Sequence, residues 1–168
     1  MGKIKPSKIT RTAILISLAL SLHILESYIP APVPIPGVKL GLANIITLYG
    51  IYFLGFKDTI IIVILRSFLG SLFAGSLGSL IFSLTGGLLS GALMFILYKY
   101  GKDVISIQSI SVVGGIAHNA GQLLAAAIIM ENFRIFSYMP ILTVSGVIMG
   151  LFIGTISFYS FNRVYISC

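Results

Sequence analysis

Residues 67–98 contain no charged side chain, although about 20 apolar residues suffice for a helix to cross a bilayer. The stretch is therefore longer than one crossing requires, and its sequence GSLGS at 75–79 marks a place for the chain to turn. Over the whole chain 57% of residues are hydrophobic and 9% are charged, whereas a soluble domain carries about 25% charged residues. Because so few charges cannot cover a surface that faces water, the chain must face lipid.

Apolar segments of spanning length recur along the chain and predict an all-α fold, an integral membrane bundle of six transmembrane helices in a single domain over 1–168. The predicted helices are 12–28, 40–56, 59–74, 79–100, 107–130 and 138–161. Lys57 and Asp58 predict a tight turn before the third helix. The four prolines in 30–36 prevent a helix from continuing through that stretch.

The basic residues are distributed unevenly over the predicted ends of the helices. With a cytoplasmic N-terminus, the inner side holds Lys3, Lys5, Lys8, Arg11, Lys57, Lys99, Lys102 and Arg163. The outer side holds only Lys39 and Arg134. This bias predicts a multi-pass protein of the cell membrane, with both termini cytoplasmic and outer loops at 29–39, 74–79 and 131–137. It also accounts for the net charge of +7 without nucleic-acid binding.

The first apolar run follows MGKIKPSKITR and in this respect resembles a signal peptide. The run nevertheless holds His23 and Glu26 and ends in prolines, without a clear cleavage site. We therefore predict that it is retained as the first membrane helix.

Small residues recur at four-residue spacing on several predicted helices, which allows close helix packing in lipid. These residues are Ser83, Gly87 and Gly91 on the fourth helix, Ala117, Gly121 and Ala125 on the fifth, and Gly146, Gly150 and Gly154 on the sixth. Packing within the bundle explains most of them. The first helix carries Ala13, Ser17 and Ser21 at the same spacing, and this set either packs inside the bundle or docks another protein.

Arg66 lies midway along the third predicted helix, where an arginine costs roughly 2.5–3.5 kcal/mol to insert. Such a residue should face the bundle interior and find a partner. Two interpretations stay open, an ion pair with Glu26 and an anion-binding role towards a substrate.

The fifth helix adds His118 and Gln122 on one face, with Asn119 adjacent. These residues are either hydrogen-bonded core residues or contacts for a ligand. His23 and Glu26, one turn apart near the outer end of the first helix, either lie near the headgroups or bind a ligand. The spacing of these residues implies no metal site.

On the predicted topology, the polar residues gather in the outer half of the membrane. They are Glu26, Lys39, Asn44, Arg66, His118, Asn119 and Gln122, with His23 beside them. The inner half has almost none, which predicts an outward-opening pocket rather than a channel. Residues 30–39 would form its wall or lid.

Sequence motifs for catalysis are missing. Neither Gly-Lys pair lies in a P-loop, no serine has a GxSxG context, and the four acidic residues Glu26, Asp58, Asp103 and Glu131 are scattered. The single cysteine, Cys168, excludes an internal disulfide. We therefore predict no enzymatic activity, no catalytic residue and no cofactor.

Four segments resemble one known family: PGVKLGLANI at 36–45, SLTGGLLSG at 83–91, GGIAHNAGQLLAA at 114–126 and PILTVSGVIMGLFIG at 140–154. This is the Gx transporter family, also named heptaprenyl diphosphate synthase component I. It resembles the S-components of energy-coupling-factor (ECF) vitamin transporters, which implies six helices, cytoplasmic termini and a site in the outer half. S-components dock a transmembrane coupling protein with two ATPases through AxxxA on the first helix; here Ala13 is followed by Ser17.

These observations predict an S-component-like protein that captures a small anionic or amphipathic molecule from outside. Vitamin-like, flavin, quinone-precursor and isoprenoid-type molecules are the candidate substrates. The alternative is a non-catalytic membrane accessory subunit of a prenyl diphosphate synthase or of a membrane redox system. Prenyl diphosphate synthases bind Mg²⁺-diphosphate through aspartate-rich motifs, which this sequence does not contain.

Overall fold

The computed structural model describes residues 7–29, 39–74, 77–101 and 104–166. Most of these residues are in helices and none is in a strand, which confirms the all-α prediction. The α-helices are α1 (Lys8–Ser27), α2 (Asn44–Phe53), α3 (Phe56–Ala74), α4 (Leu77–Gly101), α5 (Ile107–Ile129) and α6 (Met139–Ile166). A 3₁₀ helix, Phe133–Tyr138, leads directly into α6.

Four segments among the described residues are long and apolar enough to cross a membrane, as expected of a membrane-embedded protein. They are Lys8–Glu26, Gly78–Gly101, Ile107–Ile129 and Phe133–Asn162. Helix α3 has 19 residues but carries Lys57, Asp58 and Arg66. Helix α2 has 10 residues, so it is about 15 Å long, half the thickness of a bilayer core.

Glycines in the left-handed region make α2 shorter than the predicted segment 40–56. Gly41 has φ of 88° and Gly55 has φ of 90°, conformations that residues with a Cβ rarely adopt. The turn before α3 therefore lies at Gly55, and the prediction of a turn at Lys57 and Asp58 was wrong. Both lie in the first turn of α3, where the helix dipole favours Asp58 and its carboxylate pairs with Lys8 Nζ at 2.9 Å.

The predicted outer loops also differ from the structure. Helix α4 begins at Leu77, inside the predicted loop 74–79. Most of the predicted loop 131–137 belongs to the 3₁₀ helix, whose first turn is capped by Asn132 Oδ1 accepting from Arg134 N at 3.0 Å. The remaining predicted loop, 29–39, lies almost wholly outside the described residues.

Helices α5 and α6 touch through their backbones. A Cβ at Gly150 would lie 2.5 Å from Val112 Cα, and one at Gly154 would lie 2.6 Å from Gln108 Cα. At Gly146 the nearest atom, at 2.9 Å, is the backbone nitrogen of Ile116. The small-residue spacing of the sixth helix therefore serves packing within the bundle, as predicted.

Helix α1 lies at the edge of the bundle, where it packs against α3 and, less extensively, α2. Large apolar side chains point outward from it, and Leu18 and Leu25 are about half exposed. The Lys8–Asp58 ion pair shows that the first turns of α1 and α3 lie at the same end of the molecule. The polar residues of α1, His23 and Glu26, lie towards its other end.

Candidate functional site

Helix α1 directs His23 and Glu26 into the protein, where they are 2% and 3% exposed. They lie three residues apart and so share a face, opposite Leu25. The Glu26 carboxylate accepts the backbone N–H of Gly41 and, at 3.3 Å, that of Leu42. Glu26 thereby holds the segment before α2 against α1, and neither side chain lies at an exposed helix end.

Lys39 connects the segment before α2 to two helices. Its Nζ donates to Nε2 of His23 at 3.0 Å, and its backbone N–H donates to Oε1 of Gln122 at 3.1 Å. Burial lowers the pKa of the Lys39 ammonium below its ordinary 10.5; the Glu26 charge opposes this, and the Arg66 charge adds to it. Lys39 is thus a partly desolvated cation beside the buried polar groups.

Arg66 of α3 is 2% exposed and is among the largest fully buried side chains. Its Nε and Nη2 have no hydrogen-bond partner in the described part of the chain. Within the same residues no ion pair joins it to Glu26, so the structure does not form the pair that was one interpretation of the sequence. A Cβ at Gly87 would lie 2.9 Å from Nη2, so glycine at this position of α4 makes room for the guanidinium.

Helix α5 brings His118 and Gln122 to the same place. Gln122 accepts from Lys39 through Oε1, so its amide nitrogen donates to Nε2 of His118, 3.1 Å away. A Cβ at Gly86 would lie 3.0 Å from His118 Nδ1. A hydrogen-bonded series therefore runs from His118 through Gln122 and Lys39 to His23, and it joins α5 to α1.

Asn119 points away from this group. Its Nδ2 donates to the carbonyl of Leu142 at 2.7 Å, which ties α5 to α6. Adjacent residues of a helix lie about 100° apart around its axis, so Asn119 does not share the face of His118 and Gln122. Of the predicted site residues on α5, the structure brings these two into the cluster, whereas Asn119 bonds to α6 through Nδ2 and its buried Oδ1 has no partner among the described residues.

Asn44 opens α2 inside the cluster and is 3% exposed. Neither Oδ1 nor Nδ2 has a hydrogen-bond partner in the described residues. A Cβ at Gly41 would lie 3.0 Å from its Nδ2 and 3.1 Å from His118 Cδ2, which places Asn44 beside α5. One turn on, Thr47 Oγ1 is likewise buried without a partner among these residues. Buried polar atoms are normally hydrogen-bonded, so this combination is unusual.

Four helices and one connecting segment therefore supply a single polar cluster: His23, Glu26, Lys39, Asn44, Arg66, His118 and Gln122. Gly86 and Gly87 are adjacent on α4, and Cβ atoms there would lie 3.0 Å from His118 Nδ1 and 2.9 Å from Arg66 Nη2, so these two side chains approach neighbouring positions of the same helix. The small-residue spacing assigned Gly87 to helix packing, and the room that Gly70, Gly86 and Gly87 make for side chains of the cluster was not predicted. The adjacent glycines at 86–87 were the feature of the sequence that could have indicated this close approach. The proline stretch 30–38 lies outside the described residues.

Outside this cluster, Ala13, Ser17 and Ser21 are exposed on α1. The Ser17 hydroxyl donates to the Ala13 carbonyl and that of Ser21 to the Ser17 carbonyl, at 3.1 and 3.0 Å. The serines are therefore hydrogen-bonded within α1 and present a smooth, narrow strip.

A cleft of about 370 Å³ lies between α1, α2 and α6. Its lining is mostly apolar and includes Leu18, Ile46, Tyr49 and Phe161. The described residues contain no group of three or more His, Cys, Asp or Glu side chains placed to hold a metal ion.

A family model supplies the comparison with known proteins. Residues 15–159, which include every residue of the polar cluster, match the model of heptaprenyl diphosphate synthase component I. Neither a curated protein nor a solved structure matches the chain. Since the family model covers most of the chain, this membrane-embedded helical protein belongs to the heptaprenyl diphosphate synthase component I family.

Proposed function

We propose that this protein is a substrate-binding component of the ECF S-component type, without catalytic activity of its own. It captures a small anionic or amphipathic molecule of vitamin-like, flavin, quinone-precursor or isoprenoid type from the outer side of the cell membrane. One observation carries the proposal: the Nε and Nη2 atoms of Arg66 are buried without a partner among the described residues, inside a polar cluster in an otherwise apolar bundle. A buried charge is expensive, and a bound ligand would stabilise it.

The proposed topology has six crossings, with both termini in the cytoplasm. Helix α3 would cross with Arg66 turned inward, and α2 would cross together with the preceding residues from Leu40 onward. The chain directions place Lys8, Arg11, Lys57 and Lys99 towards one end of the bundle, which agrees with the positive-inside rule. The polar cluster lies in the other half, so it would face outward.

The proposed partner is a transmembrane coupling protein energised by two ATPases. Ala13, Ser17 and Ser21 would dock it, since they leave α1 without bulky side chains along an exposed strip. Close approach of helices across small residues is the usual mode of association in lipid. The sequence contains no P-loop, so the energy for transport would come from this partner.

A second candidate function is a membrane accessory subunit of a prenyl diphosphate synthase or redox system. Two observations favour it. The family name describes one component of a synthase, and the apolar cleft between α1, α2 and α6 has a volume of about 370 Å³. In this role the protein would hold a prenyl chain in the cleft beside a soluble catalytic subunit.

Site-specific photo-crosslinking in native membranes separates the two candidates. A benzophenone amino acid replaces Ser17, and as a control it replaces Thr155, an exposed α6 residue whose hydroxyl is also bonded within its helix. We expect Ser17 to crosslink a multi-pass membrane protein that co-purifies with ATPases, and Thr155 not to. Crosslinking to a soluble prenyltransferase would favour the second candidate, and equal crosslinking from both positions would remove the docking role of α1.

A further inference from the structure

We infer that the ligand carries one negative charge on an oxyanion, a carboxylate or singly charged phosphate, that binds between the Arg66 guanidinium and the Asn44 amide. The inference rests on the proposed function, because it takes the polar cluster to be the substrate site. It names the charge and the chemical group that the site recognises.

The charges of the cluster leave one positive charge without a counterpart. Lys39 and Arg66 supply an ammonium and a guanidinium, and Glu26 supplies the one carboxyl group among the clustered residues; it accepts two backbone N–H groups, an arrangement that favours the ionised carboxylate. His23 accepts from the Lys39 ammonium and His118 accepts from the Gln122 amide, so each has an unprotonated Nε2 and is neutral. One negative charge on the ligand balances this set.

Arg66 is the better placed of the two cations. Lys39 Nζ already donates to His23. The two Arg66 atoms without a partner among the described residues, Nε and Nη2, lie on one edge of the guanidinium. Two parallel N–H donors on one edge match the two oxygens of a carboxylate or phosphate.

Asn44 supplies further polar atoms near the same place. Its Nδ2 is buried without a partner in the described residues and lies beside His118, whose ring approaches Gly86, the α4 neighbour of the glycine that makes room for Arg66. Glu26 has a different role. Its carboxylate already accepts two backbone N–H groups, from Gly41 and Leu42, so it positions Asn44 at the start of α2 and is a positioning residue rather than a ligand contact.

The test compares four purified proteins in detergent: the wild type, Arg66→Gln, Arg66→Lys and the control Lys57→Gln, which removes an exposed positive charge from the same helix. Small molecules are extracted and identified by mass spectrometry in both polarities. We expect the wild type and Lys57→Gln to retain an acidic molecule. Arg66→Gln should retain at least about tenfold less, as follows from losing charge-assisted hydrogen bonds. Arg66→Lys keeps the charge but not the paired donors and should show an intermediate loss.

A second measurement uses anions of known identity. After extraction, acetate and inorganic phosphate should raise the unfolding temperature of the wild type and of Lys57→Gln, relative to chloride at equal ionic strength. Neither anion should stabilise Arg66→Gln. Arg66→Lys provides the comparison if Arg66→Gln does not fold.

The possible failures are distinct. A neutral or cationic molecule retained equally by the wild type and Arg66→Gln would overturn the oxyanion site and leave substrate capture standing. A wild type that retains nothing and responds to neither anion would overturn the oxyanion site and the capture function together. Stabilisation of wild type and Arg66→Gln to the same extent would show that the anions bind elsewhere.

Discussion

Lys39 Nζ lies 3.0 Å from Nε2 of His23, so the segment before α2 is joined side chain to side chain with α1. The contact holds a cation at the edge of the polar cluster. There the charge of Arg66 adds to the lowering of the Lys39 pKa, and the charge of Glu26 opposes it. Lys39 precedes α2 and lies outside the candidate membrane spans.

Anion binding should therefore weaken in the alkaline range before an ordinary lysine would titrate. Burial lowers the Lys39 pKa below 10.5, so the charge of its ammonium is lost as pH rises through this lowered value. The folded state disfavours the charged ammonium, so folding stability should rise over the same interval as binding falls. Binding is measured as the rise in unfolding temperature that acetate causes, at a series of pH values from neutral upward.

Lys39→Arg is the matched variant for this pH dependence. A guanidinium stays charged throughout the interval, so the alkaline loss of acetate binding should move to higher pH. An unchanged profile would show that another group controls binding.

Glu26→Ala should lower the free energy of unfolding by about 1–3 kcal/mol, because it leaves the N–H groups of Gly41 and Leu42 without their acceptor. Glu26→Gln retains an oxygen in the same place and should lose less. Thermal unfolding in detergent gives the order of the two variants. Equal losses would mean that the charge of Glu26, and not its role as an acceptor, stabilises the segment before α2.

Gly70→Ala should weaken ligand retention by displacing His23. The added Cβ would lie 2.7 Å from His23 Nε2 and closer still to Cδ2, so the ring that Lys39 contacts must move. Overpacking of this kind costs about 1–3 kcal/mol. The measurement is the amount of co-purified small molecule per protein.

Gly91→Ala is the control for Gly70→Ala. Its Cβ would meet Thr47 Cγ2 at 3.5 Å, an ordinary contact, and alanine favours the helix over glycine by about 1 kcal/mol. Retention and stability should be preserved in this variant. A similar loss in both variants would contradict the explanation through His23.

Arg66→Met should stabilise the ligand-free protein while it removes binding. Replacing buried charges with apolar side chains of similar volume gives about 1–4 kcal/mol in favourable cases, which corresponds to several degrees in unfolding temperature for a chain of this length. Differential scanning fluorimetry after removal of bound molecules provides the comparison. A lower unfolding temperature would indicate that the guanidinium is stabilised by contacts within the bundle.

The residues of the cluster were predictable from the sequence because polar side chains are scarce in apolar helices. Six of the seven predicted site residues converge, namely Glu26, Lys39, Asn44, Arg66, His118 and Gln122. Asn119 bonds to α6 instead, which agrees with helical geometry, since residues 118 and 122 share a face and residue 119 is only adjacent to it.

Other features depend on the backbone, which residue patterns do not display. Glu26 was one predicted partner for Arg66, yet it accepts from two backbone N–H groups. Every residue except proline carries such a group, so the sequence does not indicate which of them a carboxylate will meet. The short α2 depends on the conformations of Gly41 and Gly55, whereas hydropathy alone extended it to 40–56. The scarcity of polar residues therefore predicted most members of the cluster, whereas their hydrogen-bond partners depend on the backbone of the folded protein.

The backbone contact between α5 and α6 restricts how the protein can open. At Gly146 and Gly150 no side chain separates the two helices, so sliding one along the other would cause steric clashes between their backbones. His118 and Gln122 are thus mounted on a stiff pair of helices. Helix α1 packs mainly on α3 and has no comparable partner on its outward side in the described structure. If the polar cluster binds a substrate as proposed, entry and exit would displace α1 and the segment tied to it, whereas α5 and α6 would not move relative to each other.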